Sequence, residues 1–312
     1  VIVALDLLVA GYGFNPAADA SLLDFRPPVV DWLLERQAED PHFRITSFNA
    51  PGEPRTFIAN TGMYWNLEDV RGYDSIIPAQ YAHYMNLIQE QGDLLYNRVA
   101  PIYAPGYHAL DSALLDLLGV RYVLTTQEIP NQNYRLVYDD EIRVYENLDV
   151  LPRAFVVPCA EEVPPEEMDY ALRSLNPRHR VLLEQAQPET TGEPPATCNL
   201  LPATITSYTP NEVFVQTSLD EPGWLVLADS YFPGWKAYRQ ISNGKYQASN
   251  QPSATSDQPP ETELTIYRAN GNFRAVYLEP GDWIIRFKYT PMSFKLGLYV
   301  SFLAVVISLL LL

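Results

Sequence analysis

GWLVLAD (223–229), preceded by EVFVQTSL (212–219) and followed by GWKAYR (234–239), sets the character of the C-terminal part of this chain. These short runs are rich in β-branched and aromatic residues and are separated by Pro, Gly and Asn, the pattern of strands joined by tight turns. ATITSY (203–208), ELTIYRA (263–269), FRAVYL (273–278) and DWIIRFKY (282–289) continue the series. Residues 203–291 therefore predict an antiparallel β-sandwich. Gln240–Glu261 interrupts it with a polar insert that reads as a mobile loop.

Beyond the strands, LGLYVSFLAVVISLLLL (296–312) holds no charged residue. As a helix it would be roughly 26 Å long, close to the hydrocarbon thickness of a bilayer. An apolar surface on every side, without a polar stripe, is what lipid selects. A transmembrane helix is expected over 292–312. At the other end, VIVALDLLVA (1–10) is too short to span and lacks the basic start and cleavage site of a signal peptide. Gly11, Gly13, Asn15 and Pro16 follow it at once, as at a helix stop, so residues 1–13 read as the end of a transmembrane helix, with a buried strand as the alternative. Asp6 would then face other helices or a polar cavity. Val1 is not Met, which suggests a processed chain or a piece of a longer one.

Residues 14–157 mix helical and extended patterns. Pro27 and Pro28 can open a helix through Val29, Trp32 and Leu33, and Phe43–Phe48 alternates as a strand. Helices are expected over 78–91 and over 109–118, the latter ended by Gly119 in the left-handed position. Val120–Thr125 reads as a strand and Tyr134–Glu146 as a hairpin. Asn60–Pro78 has no clean period. Together these predict a mixed α/β domain, and an α+β chain overall. From 158 to 202 the composition shifts to Pro, Glu, Gln and Thr. That segment reads as a linker with one short helix, Pro165–Leu175, and a candidate strand at 180–184.

The 312 residues carry 21 basic against 38 acidic side chains, a net charge of -17. That excludes a nucleic-acid partner, which needs a basic surface, and disfavours docking on anionic lipid by charge. The two cysteines, Cys159 and Cys198, flank the irregular Pro- and Glu-rich segment and are expected to form a disulfide, which belongs to an oxidising compartment. No CxxC, metal-spaced Cys/His pair, phosphate loop or GxSxG elbow is present. No cofactor, metal or catalytic residue is predicted. Asp69 and Asp74 lie close enough in sequence to share a site, but turns of this composition also use Asp for backbone hydrogen bonds.

The chain has 21 Tyr and 5 Trp. Flat rings with a polar edge suit sugar stacking, so Trp65, Tyr73, Trp224, Tyr231 and Trp235 are candidates for a platform. Core packing and interfacial anchoring compete with that reading, and take precedence for Trp224, Trp235 and Tyr299.

LVLADSYFPGWKAY (225–238), IYRANGNFRAV (266–276) and YTPMSFKLGLYVS (289–301) resemble the C-terminal region of the bacterial YfhO family of polytopic membrane proteins. LLGVRYVLTT (117–126), VYENLDVLPRAFVV (144–157) and Asn60 with VRGYDS (70–75) agree with it. The insert after Arg239 departs from the family pattern. The resemblance implies a domain on the extracytoplasmic face of the cell membrane, between transmembrane helices. It also implies a glycosyltransferase-like protein using a polyprenyl-phosphate sugar and a glycan or lipid acceptor of the cell envelope. The main catalytic carboxylate of such enzymes lies in an earlier outer loop, outside this chain. Asn60, Arg71, Tyr73 and Asp74, carried by their place in the matching motif, are then the expected polar substrate contacts, with Trp65 beside them. The alternative function is a non-catalytic glycan- or protein-binding module anchored in the membrane.

Overall fold

The computed structural model describes residues 2–14, 19, 21, 25–50, 56–90, 98–99, 102–103, 106–185, 197–241 and 261–310. They form two compact units, Val1–Pro41 and His42–Leu312. In the first, VIVALDLLVA is helical rather than extended, over Ile2–Gly11, and the chain turns away through Gly13 at φ +74°. Asp6 is exposed on this helix. A second helix, Pro28–Glu39, starts behind Pro27 as expected, with Val29, Val30 and Leu33 on its buried face.

The second unit is built on three large sheets, with a separate two-stranded pair of Gly72–Tyr73 and Arg98–Val99. GWLVLAD lies at the heart of the largest, a seven-stranded sheet ordered Ala160–Glu162, Val181–Leu183, Tyr267–Ala269, Phe273–Leu278, Gly223–Ser230, Ala154–Val157 and Leu201–Pro202. Gly223 to Asp229 are all buried, because this sheet is covered on both faces. On one face Val156, Leu225, Leu227 and Val276 meet Val213, Val215, Ile285 and Phe287 of a five-stranded antiparallel sheet. That sheet runs Thr204–Thr209, Glu212–Leu219, Gly281–Tyr289, Trp235–Ile241 and Thr262–Leu264. This is the sandwich. Glu212–Leu219 alternates buried and accessible residues along its length, as a strand with one covered face must. On the other face of the large sheet Phe155, Trp224, Val226 and Ala275 share a core with Tyr84, Met85, Leu114 and Leu115 from the helical part.

The third sheet is mixed. Arg44–Asn49 pairs in parallel with Glu68–Asp69, Ile102–Tyr103 and Val120–Thr125, and the hairpin Tyr134–Asp139/Arg143–Asn147 adds antiparallel strands beside Val120–Thr125. The α+β organisation is as expected.

Several segments differ from their sequence reading. Residues 158–202 are not only a linker: Ala160–Glu162, Val181–Leu183 and Leu201–Pro202 are strands of the seven-stranded sheet, and Ala154–Val157 sits beside Gly223–Ser230 within it. The division at 157/158 therefore cuts through one layer. These strands are two to four residues long, below what periodicity can detect. Cys159 and Cys198 are joined, with Cα atoms 5.2 Å apart, across this segment. ELTIYRA is not one strand. Thr262–Leu264 pairs with Trp235–Ile241 in one sheet and Tyr267–Ala269 with Phe273–Leu278 in the other, so the chain changes layers at Thr265–Ile266. The helix expected over 109–118 is split into Tyr107–Leu110 and Ala113–Leu117, because Ser112 turns extended and accepts a bond from the backbone N–H of Leu114. Gly119 follows at φ +74°. The helices at 78–91 and 165–175 shorten to Ala79–Ile88 and Met168–Arg173. Most of the expected mobile insert, 242–260, lies outside the described residues.

Met292–Leu310 forms the C-terminal helix. It is the one helix among the described residues long and apolar enough to cross a membrane, with a mean hydropathy of 1.9 and no buried residue over Met292–Leu309. Its entry is fixed by the sandwich. The backbone N–H of Thr290 donates to Gly234 O at 2.7 Å, and Gly234, at φ +108°, leaves only 3.0 Å between a Cβ and Pro291 Cα.

Candidate functional site

Strand Gly223–Ser230 loses register between Leu227 and Ser230, and this bulge turns Asp229 out of the ladder into a buried polar centre. Three arginines from separate elements close on it. Arg153, just before strand Ala154–Val157, donates from Nε at 2.7 Å, and Arg274 of Phe273–Leu278 donates from Nη2 at 2.8 Å. Arg44 reaches it from the mixed sheet at 3.1 Å, and Tyr208 OH lies 3.2 Å from both carboxylate oxygens. Arg153 also donates to Glu68 Oε2 at 2.7 Å. Burial alone would push the Asp229 carboxyl up, but Arg153, Arg274 and Arg44 outweigh it and hold the pKa at about 2. Burial pushes the phenols of Tyr208 and Tyr81 up to about 12, so both remain neutral.

Arg274 is stacked 3.8 Å above the ring centroid of Trp235, with its Nε and Nη1 buried and without hydrogen-bond partners among the described residues. The indole face takes the place of a second carboxylate. Asp229, Trp235, Arg153 and Arg274 all lie in the stretches 144–157, 225–238 and 266–276, so the most distinctive motifs of the sequence converge on one structural centre.

Beside this centre opens a cleft of about 750 Å³. Arg44, Glu68, Ser230 and Asn272 give it a polar floor, and Met63, Leu67, Ile76 and Ile77 an apolar wall. Asn272 is fully buried, donates weakly to Ser230 Oγ at 3.3 Å, and has an Oδ1 with no hydrogen-bond partner among the described residues. Tyr208, Thr209 and Pro210 also line it. The next residue, Asn211, accepts from Tyr289 N–H at 2.8 Å, three residues before helix Met292–Leu310. Part of the cleft lining is thus held at the root of the apolar helix.

Of the residues expected to contact substrate, Asn60 and Arg71 line this cleft, and Trp65, Tyr73 and Asp74 lie outside its lining. Asn60, at φ +70°, spends its side-chain amide on the chain: Nδ2 donates to Tyr73 O at 2.5 Å and Oδ1 accepts from Tyr73 N–H at 3.2 Å. Arg71 is buried against Asp69, at 2.9 and 2.5 Å, and donates to Ser47 Oγ at 2.7 Å. Asp74 accepts from the Ile76 backbone at 3.3 Å, the turn bond that its position suggests. Trp65 packs against Tyr64 and Phe57, with centroids 5.4 and 6.3 Å away. Tyr73 is exposed. Trp224 is core, edge-on to Tyr267. Sequence reasoning missed Arg44, Glu68, Asp229, Asn272 and Arg274. The available signal was a lone Arg inside FRAVYL and a lone Asp ending GWLVLAD, charges that buried strands accept only as partners.

Among the described residues no group of three or more His, Cys, Asp or Glu could hold a metal ion. Comparison with protein-family models, with curated proteins and with solved structures finds no match for this chain.

Proposed function

We propose that this chain is the extracytoplasmic part of a YfhO-like membrane protein, and that its cleft holds the glycan or lipid acceptor for sugar transfer from a polyprenyl-phosphate donor. The observation that carries the reading is the position of the cleft: its Thr209–Pro210 lining is bonded through Asn211 to the root of the one span-length helix among the described residues. A ligand seated there stands where a membrane-borne donor can meet it. The lining suits a ligand with hydroxyls at one end, since Glu68, Ser230 and Asn272 form the floor, and an apolar portion along Leu67 and Ile77.

The cleft is a holder rather than a reaction centre. Asp69 is taken up by Arg71, Asp229 by three arginines and Glu68 by Arg153, leaving no poised acid and base pair among the described residues of the cleft. This same pairing favours the second reading, a non-catalytic glycan-binding module.

Transfer from a polyprenyl-phosphate sugar by the full-length protein separates them. Ser230→Tyr fills the cleft floor at a half-buried position. Lost transfer with an unchanged urea midpoint is expected. Full transfer would remove the cleft from the reaction, and a full-length protein with no transferase activity would leave the binding module.

A further inference from the structure

Residues 57–78 are a largely irregular segment, a 3-10 turn and two two-residue strands, that carries exposed apolar side chains. Ile58, Met63, Tyr64, Tyr73 and Ile76 are 62, 72, 57, 57 and 84% exposed. The segment also carries charges, but Arg71 is buried and Asp69 is tied to it, Glu68 is held by Arg153, and Asp74 is its one exposed charged residue. Large exposed apolar side chains on one segment, with a single exposed charge among them, mark an interaction surface.

This exposure is constructed. Thr61–Trp65 is a single 3-10 turn flanked by Asn60 and Asn66, both left-handed, and Gly62 is so tightly packed that a Cβ would stand 2.9 Å from Leu67 O. Asn60 staples Tyr73 from both sides, and Tyr81 OH donates to Val70 O at 2.5 Å. The loop therefore presents its apolar side chains on a rigid frame anchored in the core.

Met63 and Ile76 line the same cleft as Thr209 and Pro210, which are bonded at Asn211 to the root of helix Met292–Leu310. We propose that the 57–76 loop docks into the interfacial layer of the same bilayer that holds this helix, making a second, non-spanning membrane contact beside the cleft mouth. Tyr, Met and Ile with few charges suit that layer, where amphipathic rings settle at headgroup depth and aliphatic side chains reach the acyl boundary. The acidic chain rules out attraction to anionic headgroups as the driving force, so docking is apolar and requires no anionic lipid. The inference rests on the helix being in the membrane, but not on sugar transfer.

The test uses the full chain in phosphatidylcholine vesicles, with nitroxide labels at Met63→Cys, Ile76→Cys, Tyr170→Cys and Val305→Cys in separate samples. The two native cysteines are bonded to each other, so each variant has one reactive thiol. Collisions with oxygen and with a water-soluble nickel chelate report the surroundings. The Val305 label is expected to be open to oxygen and closed to nickel, and the Tyr170 label, at an 81% exposed site, open to nickel. Labels at 63 and 76 should lose nickel access relative to 170 and gain oxygen access. Nickel access equal to that at 170, with 305 in lipid, overturns the docking alone. Closure to both reagents means that protein covers the loop and likewise overturns it. A Val305 label open to nickel overturns the docking together with the membrane anchor.

Discussion

Arg153 and Asp229, 76 residues apart in the chain, meet at 2.6 Å in the interior of the sandwich unit. Asp229→Ala is expected to destabilise the protein by about 3–5 kcal/mol, because it strands Arg153, Arg274 and Arg44 without their shared anion. Urea unfolding at neutral pH measures this. A loss below about 1 kcal/mol would mean that water or Glu68 replaces the carboxylate.

The same carboxylate sets the acid limit. Its pKa is about 2 in the folded protein, below the ordinary carboxylate value near 3.9. Its contribution is therefore complete above about pH 4 and is lost as pH falls through 2. Acid titration of near-ultraviolet circular dichroism should show a transition in that window, absent in Asp229→Asn, which starts from lower stability.

Asp116 acts with the opposite sign. Burial pushes its carboxyl up to about 7, against the pull of the Asn147 amide, whose Nδ2 donates to it at 2.7 Å. A raised acid pKa favours the folded state when protonated, so stability from this site falls as pH rises from about 4 to about 7. Asp116→Asn keeps an acceptor for Asn147 and removes the charge. The variant should gain stability over the parent at pH 8 and little at pH 4, read from urea midpoints at both.

The Cys159–Cys198 bridge closes a segment of sequence separation 39. Chain entropy predicts a loss of about 4 kcal/mol when both are replaced by Ala. Because residues 160–162, 181–183 and 201–202 each add a strand to the large sheet, proteolysis should begin between them in the variant. Unchanged proteolysis would mean that the sheet holds these strands by itself.

Gly234→Ala should cost about 1–3 kcal/mol, since φ +108° disfavours a side chain and Pro291 stands 3.0 Å from the new Cβ. The strain falls at the junction with the C-terminal helix, so protease cleavage near Thr290 is the sensitive readout. Thermal unfolding unchanged within error would show that the junction yields.

Between Thr204 and Tyr289 the strands of six to nine residues were legible because each is long enough to show β-branched enrichment and turn punctuation, whereas the two three-residue strands within ELTIYRA were read as one. Val120–Thr125 was read with its observed ends, and the disulfide followed from two cysteines flanking an irregular segment. The short strands of 154–202 were not legible, since two to four residues carry no period and are held by neighbours distant in sequence. Among the candidate contacts, Asn60 was singled out, but its pairing with Tyr73 depends on a left-handed backbone that no spacing reveals.

By itself the amino-acid sequence determined an α+β chain, its sandwich, the covalent link and a helix able to cross a membrane. These depend on local composition and on hydrophobic pattern, which are properties of contiguous residues. Only the tertiary structure decided that GWLVLAD is covered on both faces, that ELTIYRA changes sheets, and that Arg44, Arg153 and Arg274 share Asp229 beside a cleft. Such arrangements arise when the packing of separate layers brings charges from distant segments into one low-dielectric interior, where each is tolerated only because the others are there.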